Sequence, residues 1–348
     1  MTKELPKILF IHNSTGSRLY RILPQAKYMA DNGWFVKVRG QKPGVKGIKR
    51  AELTWPDIVV SEMTYSRDLI DIAKKSGAKV VYELDDLMES VPKMHYAHKE
   101  MNWWRTYLTW RCLAKVDAIT CTVDPLKKRY KWFCPNIHVL PNLLDIDFWE
   151  KPYLPNTSDK IRIGWVGGNS HKEDLLFIAP IIEKVLKKYP NVKFICSGFG
   201  GTSAPDRWVE FNYGEDLFKN LPKGQYEFSL GAPMEVFPNK IASLRLDIGL
   251  APVVENKFSR CKSNVKVLEY GINKIPAVAQ RFLYKDAVVE GKTGYLATDP
   301  DEWYEKLCLL IENKNRRDVG ETAYKHIKEK FNFNDQAEKW LALYKSLL

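Results

Sequence analysis

The sequence has no apolar run approaching the roughly 18 residues that a membrane-spanning helix needs. Its opening, MTKELPKILFIHN, is too short in apolar residues for a signal-peptide core. A soluble, cytoplasmic chain is the expectation. The six cysteines, at 112, 121, 134, 196, 261 and 308, form no Cys-x-x-Cys pair, which argues against a zinc ribbon or a disulfide framework and fits reduced thiols. No Gly-x-x-x-x-Gly-Lys-Ser/Thr tract is present, so a P-loop ATPase has no support. Acidic residues are scarce at one end: the first fifty positions hold two, against eleven Lys and Arg.

What is present is enough for two ordinary domains. The chain has 348 residues, 45% hydrophobic and 28% charged, so it can bury its own cores and is too long for one. Its formal net charge is +12, and residues 1–150 carry 24 basic and 17 acidic side chains. The run Lys37 to Arg50, KVRGQKPGVKGIKR, holds six bases and no acid, broken by glycines and a proline. It reads as an exposed basic loop, either merely solvated or a site for something anionic.

Short β-branched runs alternate with helical patterns along the whole length, the mark of parallel sheets covered by helices. In the first half strands are expected at 7–12, 35–38, 57–62, 78–83, 117–122 and 137–140, and helices at 19–31, 67–75, 98–115 and 125–133. Pro141 to Lys160 contains three prolines and no periodicity, which suits a linker. The second half repeats the alternation, with strands at 161–166, 192–197, 226–230, 247–251, 275–279 and 294–298. Its helices are expected at 172–188, 235–244, 264–272, 301–313 and 316–330. A last amphipathic stretch, Asn334 to Leu348, aligns Ala337, Trp340, Leu341, Tyr344 and Leu348 on one face, which needs a surface to cover. The expected organisation is two Rossmann-like domains, 1–150 and 151–333, with the helix 334–348 returning to the first. In such sheets ligands bind beyond the C-terminal strand ends.

The segment CKSNVKVLEYGINKIPAVA, Cys261 to Ala279, is the most informative. Ser263 is a suitable N-cap for a helix that puts Lys266 and Glu269 on one face near its positive end. Free amides with Lys262 and Lys266 can hold a diphosphate, and a carboxylate two turns in can accept two sugar hydroxyls. The same residues also suit an ordinary capped helix with a solvated Lys and Glu.

Here the sequence resembles the retaining, GT-B type glycosyltransferases of the family 4 kind. Lys262, Ser263, Lys266, Leu268, Glu269 and Tyr270 match a subgroup pattern Lys-Ser-x-x-Lys-x-Leu-Glu-Tyr. GWVGGNSHKEDL (Gly164 to Leu175) is similar to the family's first donor-domain loop, and DIGLAPV (Asp247 to Val253) to its penultimate strand. VLPNLLDIDFW (Val139 to Trp149) looks like its interdomain crossing, and YELDDL (Tyr82 to Leu87) like a tract ending an acceptor-domain strand. The resemblance implies two facing Rossmann-like domains with a deep cleft. It implies transfer of a sugar from a nucleotide diphosphate donor, such as a UDP-sugar, to a hydroxyl acceptor with retention, in surface glycan or glycoconjugate synthesis. On this reading Asp85, Asp86, His171 and Lys266 serve catalysis. Gly16, Gly168, Lys172, Lys262, Ser263, Asn264, Val265, Lys266 and Glu269 contact the donor, and Arg18 and Asp85 the acceptor. The donor is a substrate, and no cofactor or essential metal is expected.

Two positions depart from the family pattern: Cys261 stands where a first Glu is usual, and Gly168 where an Arg is usual. The donor sugar and base therefore stay open. Asp145-Ile146-Asp147 and the pair His95 and His98 do not read as metal ligands: the first belongs to the crossing, and the second suits a solvated helix start. Asp85 and Asp86 can bind acceptor hydroxyls or cap a turn. Alternatives to transfer onto a glycan or lipid-linked acceptor are glycosylation of modified nucleic-acid bases, nucleotide-sugar epimerisation, and non-catalytic polyanion binding through WWRTYLTW (103–110) and the basic surplus. The basic run implies peripheral contact with an anionic membrane or nucleic acid.

Overall fold

The computed structural model describes residues 5–13, 16–40, 48–95, 97–198, 217–218 and 220–348. Lys42 and Lys46 of the basic run, and Ser14 and Thr15 beside Gly16, lie outside the described residues. The first half contains β1 (Lys7–His12), α1 (Leu23–Asp31), β2 (Phe35–Gly40), α2 (Arg50–Leu53), β3 (Ile58–Glu62) and α3 (Arg67–Lys75). It continues with β4 (Lys79–Leu84), α4 (Trp103–Leu113), β5 (Ala118–Cys121), α5 (Asp124–Tyr130), β6 (Ile137–Val139) and the short crossing helix α6 (Ile146–Trp149). The second half contains β7 (Ile161–Gly167), α7 (Lys172–Lys188), β8 (Val192–Gly198), β9 (Tyr226–Leu230), α8 (Phe237–Ser243), β10 (Ile248–Ala251) and α9 (Val265–Ile272). After these come β11 (Ala277–Gln280), α10 (Arg281–Tyr284), β12 (Gly294–Ala297), α11 (Pro300–Glu312), α12 (Arg316–Lys330) and α13 (Glu338–Leu347).

Each half forms one parallel six-stranded sheet, in the orders β2-β1-β3-β4-β5-β6 and β12-β11-β10-β7-β8-β9. Central strands such as IVVSE are buried at every position, because helices cover both faces of a parallel sheet. The connection order reverses beside β1 and β3 in one sheet and beside β7 and β10 in the other. Crevices open at such reversals, so the chain owns two.

α13 packs on the first sheet: Trp340 and Tyr344 are fully buried in one cluster with Ile8, Phe10, Met29 and Val60, and the Tyr344 hydroxyl donates to Gln25. Two chain crossings hold this return in place. Leu144 N–H donates to the Phe331 carbonyl at 2.9 Å and Phe333 N–H to the Leu144 carbonyl at 2.8 Å.

Several local expectations need correction. The helix expected from residue 19 starts as one turn of π-helix, Arg18–Ile22, because Pro24 has no amide proton to give Tyr20; instead the Leu23 amide reaches back to the Arg18 carbonyl. The helix expected from His98 starts at Trp103, where the Asn102 side chain caps the Arg105 amide at 3.0 Å. His95 is buried, not solvated, and its Nδ1 accepts the Ala97 amide at 3.1 Å. The two ends of the basic run lie in regular elements. Lys37 and Arg39 belong to β2, with Lys37 Nζ 4.1 Å above the Trp55 ring and Arg39 paired with Glu52, while Arg50 opens α2.

Trp340→Ala should leave a large cavity under the sheet and cost about 3–5 kcal/mol. Denaturant unfolding followed by fluorescence checks this. A loss under about 1 kcal/mol would mean that α13 contributes little to the first unit.

Candidate active site

On the second sheet, α9 starts beside the reversal between β7 and β10. The Tyr270 hydroxyl fixes it there, bonding the Val166 amide and the Leu250 carbonyl at 3.1 Å each. Gly249 makes room, since a Cβ there would lie 2.6 Å from the Tyr270 ring. Lys266 and Glu269 are both buried. Lys266 Nζ donates to the Val166 carbonyl and lies 5.1 Å from the Trp165 ring centre. Burial lowers the lysine's affinity for its proton and raises that of the Glu269 carboxyl, the latter partly offset by Lys266 and by the Tyr20 hydroxyl.

The loop after β7 carries Gly168, whose missing side chain faces open space, and then His171 and Lys172 at the start of α7. His171 Nδ1 lies 2.7 Å from Asp174 Oδ2, and Asp174 Oδ1 accepts the Val254 amide at 2.7 Å. Asp174 thereby orients the imidazole and ties α7 to the loop after β10. Burial pulls the His171 pKa below its ordinary value, with Asp174 opposing. Lys172 is half-buried.

On the first sheet, the loop after β1 is tied to the end of β3. Asn13 N–H donates to Glu62 at 2.9 Å, its side chain donates to the Glu62 and Met63 carbonyls, and the Ser17 hydroxyl donates to Glu62. Met63 has φ +39°, a rare conformation for a side-chain-bearing residue, held at the strand end that faces the cleft. Gly16 opens the π-turn with its carbonyl bonded to the Leu19 amide at 3.2 Å. Arg21, inside that turn, is fully buried and pairs with the equally buried Glu83 of β4. Its remaining nitrogen, Nη1, donates to the Leu140 carbonyl and, at 3.4 Å, to Asn142 Oδ1. Asn142 Nδ2 then donates to Asp85 Oδ1 at 3.1 Å and to Ser263 Oγ of the second half at 2.9 Å.

The two halves meet through these same residues. Tyr20 hydroxyl donates to Glu269, and its ring stacks on Trp149 of the crossing at 5.3 Å. Arg18 pairs with Glu235, Lys262 Nζ lies 3.9 Å from Asp86, and Phe258 meets the His95 ring at 5.4 Å. The structure therefore brings Asp85, Asp86, Lys262, Ser263, Lys266 and Glu269 to the meeting of the halves, with Arg18 crossing to Glu235, Gly16 and Gly168 on loops, and His171 and Lys172 at the start of α7. Ser263 is not the N-cap of α9: the cap position is Asn264, without a side-chain capping bond, and Val265 is the first helical residue. The Ser263 hydroxyl serves Asn142 instead. Lys266 and Glu269 are bonded and buried rather than projecting freely. Cys261, where the resemblance lacks its Glu, is buried in a cluster with Tyr130 and Leu126 of the first half, and burial pushes its thiol up to about 11. Asp145 and Asp147 face Lys27 at 3.7 and 3.3 Å.

Sequence reasoning did not single out Tyr20, Arg21, Glu62, Glu83, Asn142 or Asp174. A signal existed for the strand residues: Glu62 and Glu83 are charges within otherwise apolar runs, and buried charges need partners.

No family model matches the chain. Over 171 residues, 49% of this chain and 40% of its counterpart, it is 24% identical to the trehalose synthase of Thermococcus litoralis. The chain thus spans about two fifths of the length of the curated relatives it matches. Among solved structures it resembles sucrose-phosphate synthase from Thermosynechococcus elongatus, with TM-score 0.72, 12% identity and coverage of 98% and 99% of the two chains. It also resembles Anabaena HepE in complex with UDP and glucose, with TM-score 0.67, 13% identity and coverage of 99% and 100%. The chain has the GT-B fold. The expected architecture of two facing parallel sheets is the observed one. Among the described residues no helix is long and apolar enough to cross a membrane.

Asp85 gives a pH signature. It is half-buried, and desolvation with the Asp86 and Glu62 charges outweighs Arg21 and Asn142, raising its carboxyl to about 7. A free aspartate titrates near about 3.9. The folded chain therefore holds the proton more firmly than the unfolded one, and ionising Asp85 costs stability as pH rises from about 4 through 7. Asp85→Asn keeps an acceptor for Asn142 and should melt higher than wild type at about pH 8 but equally at about pH 4. A thermal melt series checks this, and a lower Asn melting point at the higher pH would contradict it.

Proposed function

We propose that the protein is a retaining glycosyltransferase moving a sugar from a nucleotide diphosphate donor to a hydroxyl acceptor. The observation that carries the reading is the meeting at one cleft of Lys266 and Glu269, at the β7/β10 reversal, with Tyr20, Asp85 and Asp86 from the β1/β3/β4 strand ends. The neighbour holding UDP and glucose supports a nucleotide-sugar donor. Residues 151–333 hold the donor, residues 1–150 face the acceptor, and residues 334–348 complete the first unit.

In this reading the ribose hydroxyls replace the Tyr20 hydroxyl on Glu269. The diphosphate lies among Lys172, Lys262, Lys266 and the amides opening α7 and α9, with Gly168 leaving space for it. The bond from the anomeric carbon to the diphosphate oxygen breaks, and the bond to the acceptor oxygen forms on the same face. The acceptor proton passes to the departing diphosphate oxygen, whose growing charge the lysines offset. Asp85 and Asp86 orient the acceptor hydroxyl, Arg18 flanks it, and His171, held by Asp174, contacts the sugar or its phosphate. A glycan or a lipid-linked sugar is the acceptor class, in surface glycan or glycoconjugate synthesis.

Calorimetry with UDP, GDP and ADP, each beside its nucleoside, tests this directly. Lys172→Ala should weaken the preferred diphosphate about ten-fold or more and spare the nucleoside. Glu269→Gln, close in shape and able to keep the Tyr20 contact, should weaken both. Equal losses on Lys172→Ala, or no binding of any diphosphate, would contradict the reading. Epimerised nucleotide sugar produced without acceptor would replace it with the epimerase alternative.

A further inference from the structure

α4 carries an aromatic face that neither the fold nor the cleft uses. Its inner side buries Cys112 and Leu113, whereas Trp103 is 76% exposed, Trp104 50% and Tyr107 36%. Trp104, Tyr107 and Arg111 are spaced three and four apart, which places them on one side of the helix. The rings form one continuous strip, Trp103 to Trp104 at 5.4 Å and Trp104 to Tyr107 at 5.5 Å. The strip is rigidly mounted: Trp110 stacks on Phe133 at 5.8 Å, and its Nε1 donates to Glu89 at 2.9 Å. Adjoining Phe133 is Trp132, 83% exposed.

The surroundings are basic. From Lys93 to Trp132 the chain has nine Lys and Arg against three Asp and Glu, and Lys127, Lys128 and Lys131 are all exposed. Exposed indoles bordered by lysines suit the headgroup layer of a bilayer, where an amphipathic ring sits between water and acyl chain and cations meet anionic lipid. Nucleic acid suits the strip less well, because Trp103 and Trp104 pack edge to face at 78° instead of offering parallel platforms for successive bases. A second copy would bring like charge against like.

We propose that the exposed aromatic face of α4, with Trp132 and the lysines of α5, is a docking surface for an anionic lipid bilayer. It rests on the transferase reading in one respect, the nature of the acceptor. α4 follows directly on the turns holding Val91, His95, Ala97 and Met101, which pack on Phe258 of the donor half. A bilayer on α4 therefore lies beside the cleft, and an acceptor anchored in it presents its hydroxyl to Asp85 and Asp86 without leaving the membrane.

The test is co-sedimentation of the full chain with phosphatidylcholine vesicles, with and without about one third phosphatidylglycerol, and binding of UDP, GDP and ADP measured in parallel. The wild type should bind the anionic vesicles, release them as salt rises, and blue-shift its tryptophan emission. Trp103→Ser with Trp104→Ser should weaken partitioning about ten-fold or more and remove most of the shift. Lys127→Gln, Lys128→Gln and Lys131→Gln should each cost about five-fold at low salt, with circular dichroism and UDP binding unchanged. The control replaces Lys42, Lys46, Lys49 and Arg50 by Gln and should bind vesicles as the wild type does. The proposal is overturned by absence of vesicle binding at low salt, by loss confined to that control, or by Trp-dependent binding of single-stranded DNA without vesicles. Vesicle binding with no binding of UDP, GDP or ADP upholds the surface and defeats the transferase reading. The reverse result defeats the surface alone.

Discussion

The buried ion pair between Arg21 and Glu83 is the contact on which the rest of the arrangement turns. Both side chains are wholly withdrawn from solvent, and such a pair is tolerated only when the remaining donors and acceptors are also satisfied. Here they are: Gln25, Leu140 and Asn142 complete the cluster, and Gln25 carries it to Tyr344 of α13. One guanidinium thus joins the turn after β1, the end of β4, the crossing between halves and the returning helix. Through Asn142 the same network reaches Asp85 and Ser263, so residues of both halves take their positions from it. Removing one partner would leave an unpaired buried charge, which costs far more than the pair contributes when intact.

Tyr20, next to Arg21, shows how the turn serves the cleft. The π-turn places neighbouring side chains in different environments: Arg18 toward Glu235, Tyr20 toward Glu269, Arg21 into the core. Widened helical turns of this kind recur at functional sites. Glu269 has the Tyr20 hydroxyl as its partner. In the proposed function a ribose hydroxyl takes the place of that bond, so the cost of desolvating Glu269 is offset in either case.

The architecture was legible from sequence because apolar β-branched runs and helical periodicity both follow directly from burial. All twelve expected strands appear within a few residues. The helix VKVLEYGI stands out as a candidate because Lys266 and Glu269 are polar residues on an otherwise apolar segment. What escaped were contacts between distant positions. Asn142 lies in a proline-flanked crossing where an Asn is unremarkable, and Arg21 sits in a helix where an Arg normally faces water. Nothing local says that Arg21 pairs with Glu83 or that Asn142 links that guanidinium to Asp85. Ser263 misled for a related reason: its identity suits a cap, but Asn142 from another segment claims its hydroxyl. The basic run drew attention by charge alone, whereas the exposed indoles of α4 became informative only once burial separated them from the core.

The central claim is that this cleft transfers a sugar with retention, and the configuration of the product tests it most directly. The full chain is incubated with UDP-, GDP- and ADP-sugars and a hydroxyl acceptor presented in anionic vesicles, and the anomeric proton of the product is followed by NMR. The account predicts release of the nucleoside diphosphate together with a glycoside of the same anomeric configuration as the donor. An inverted anomer, or donor consumption that yields no glycoside, would contradict it.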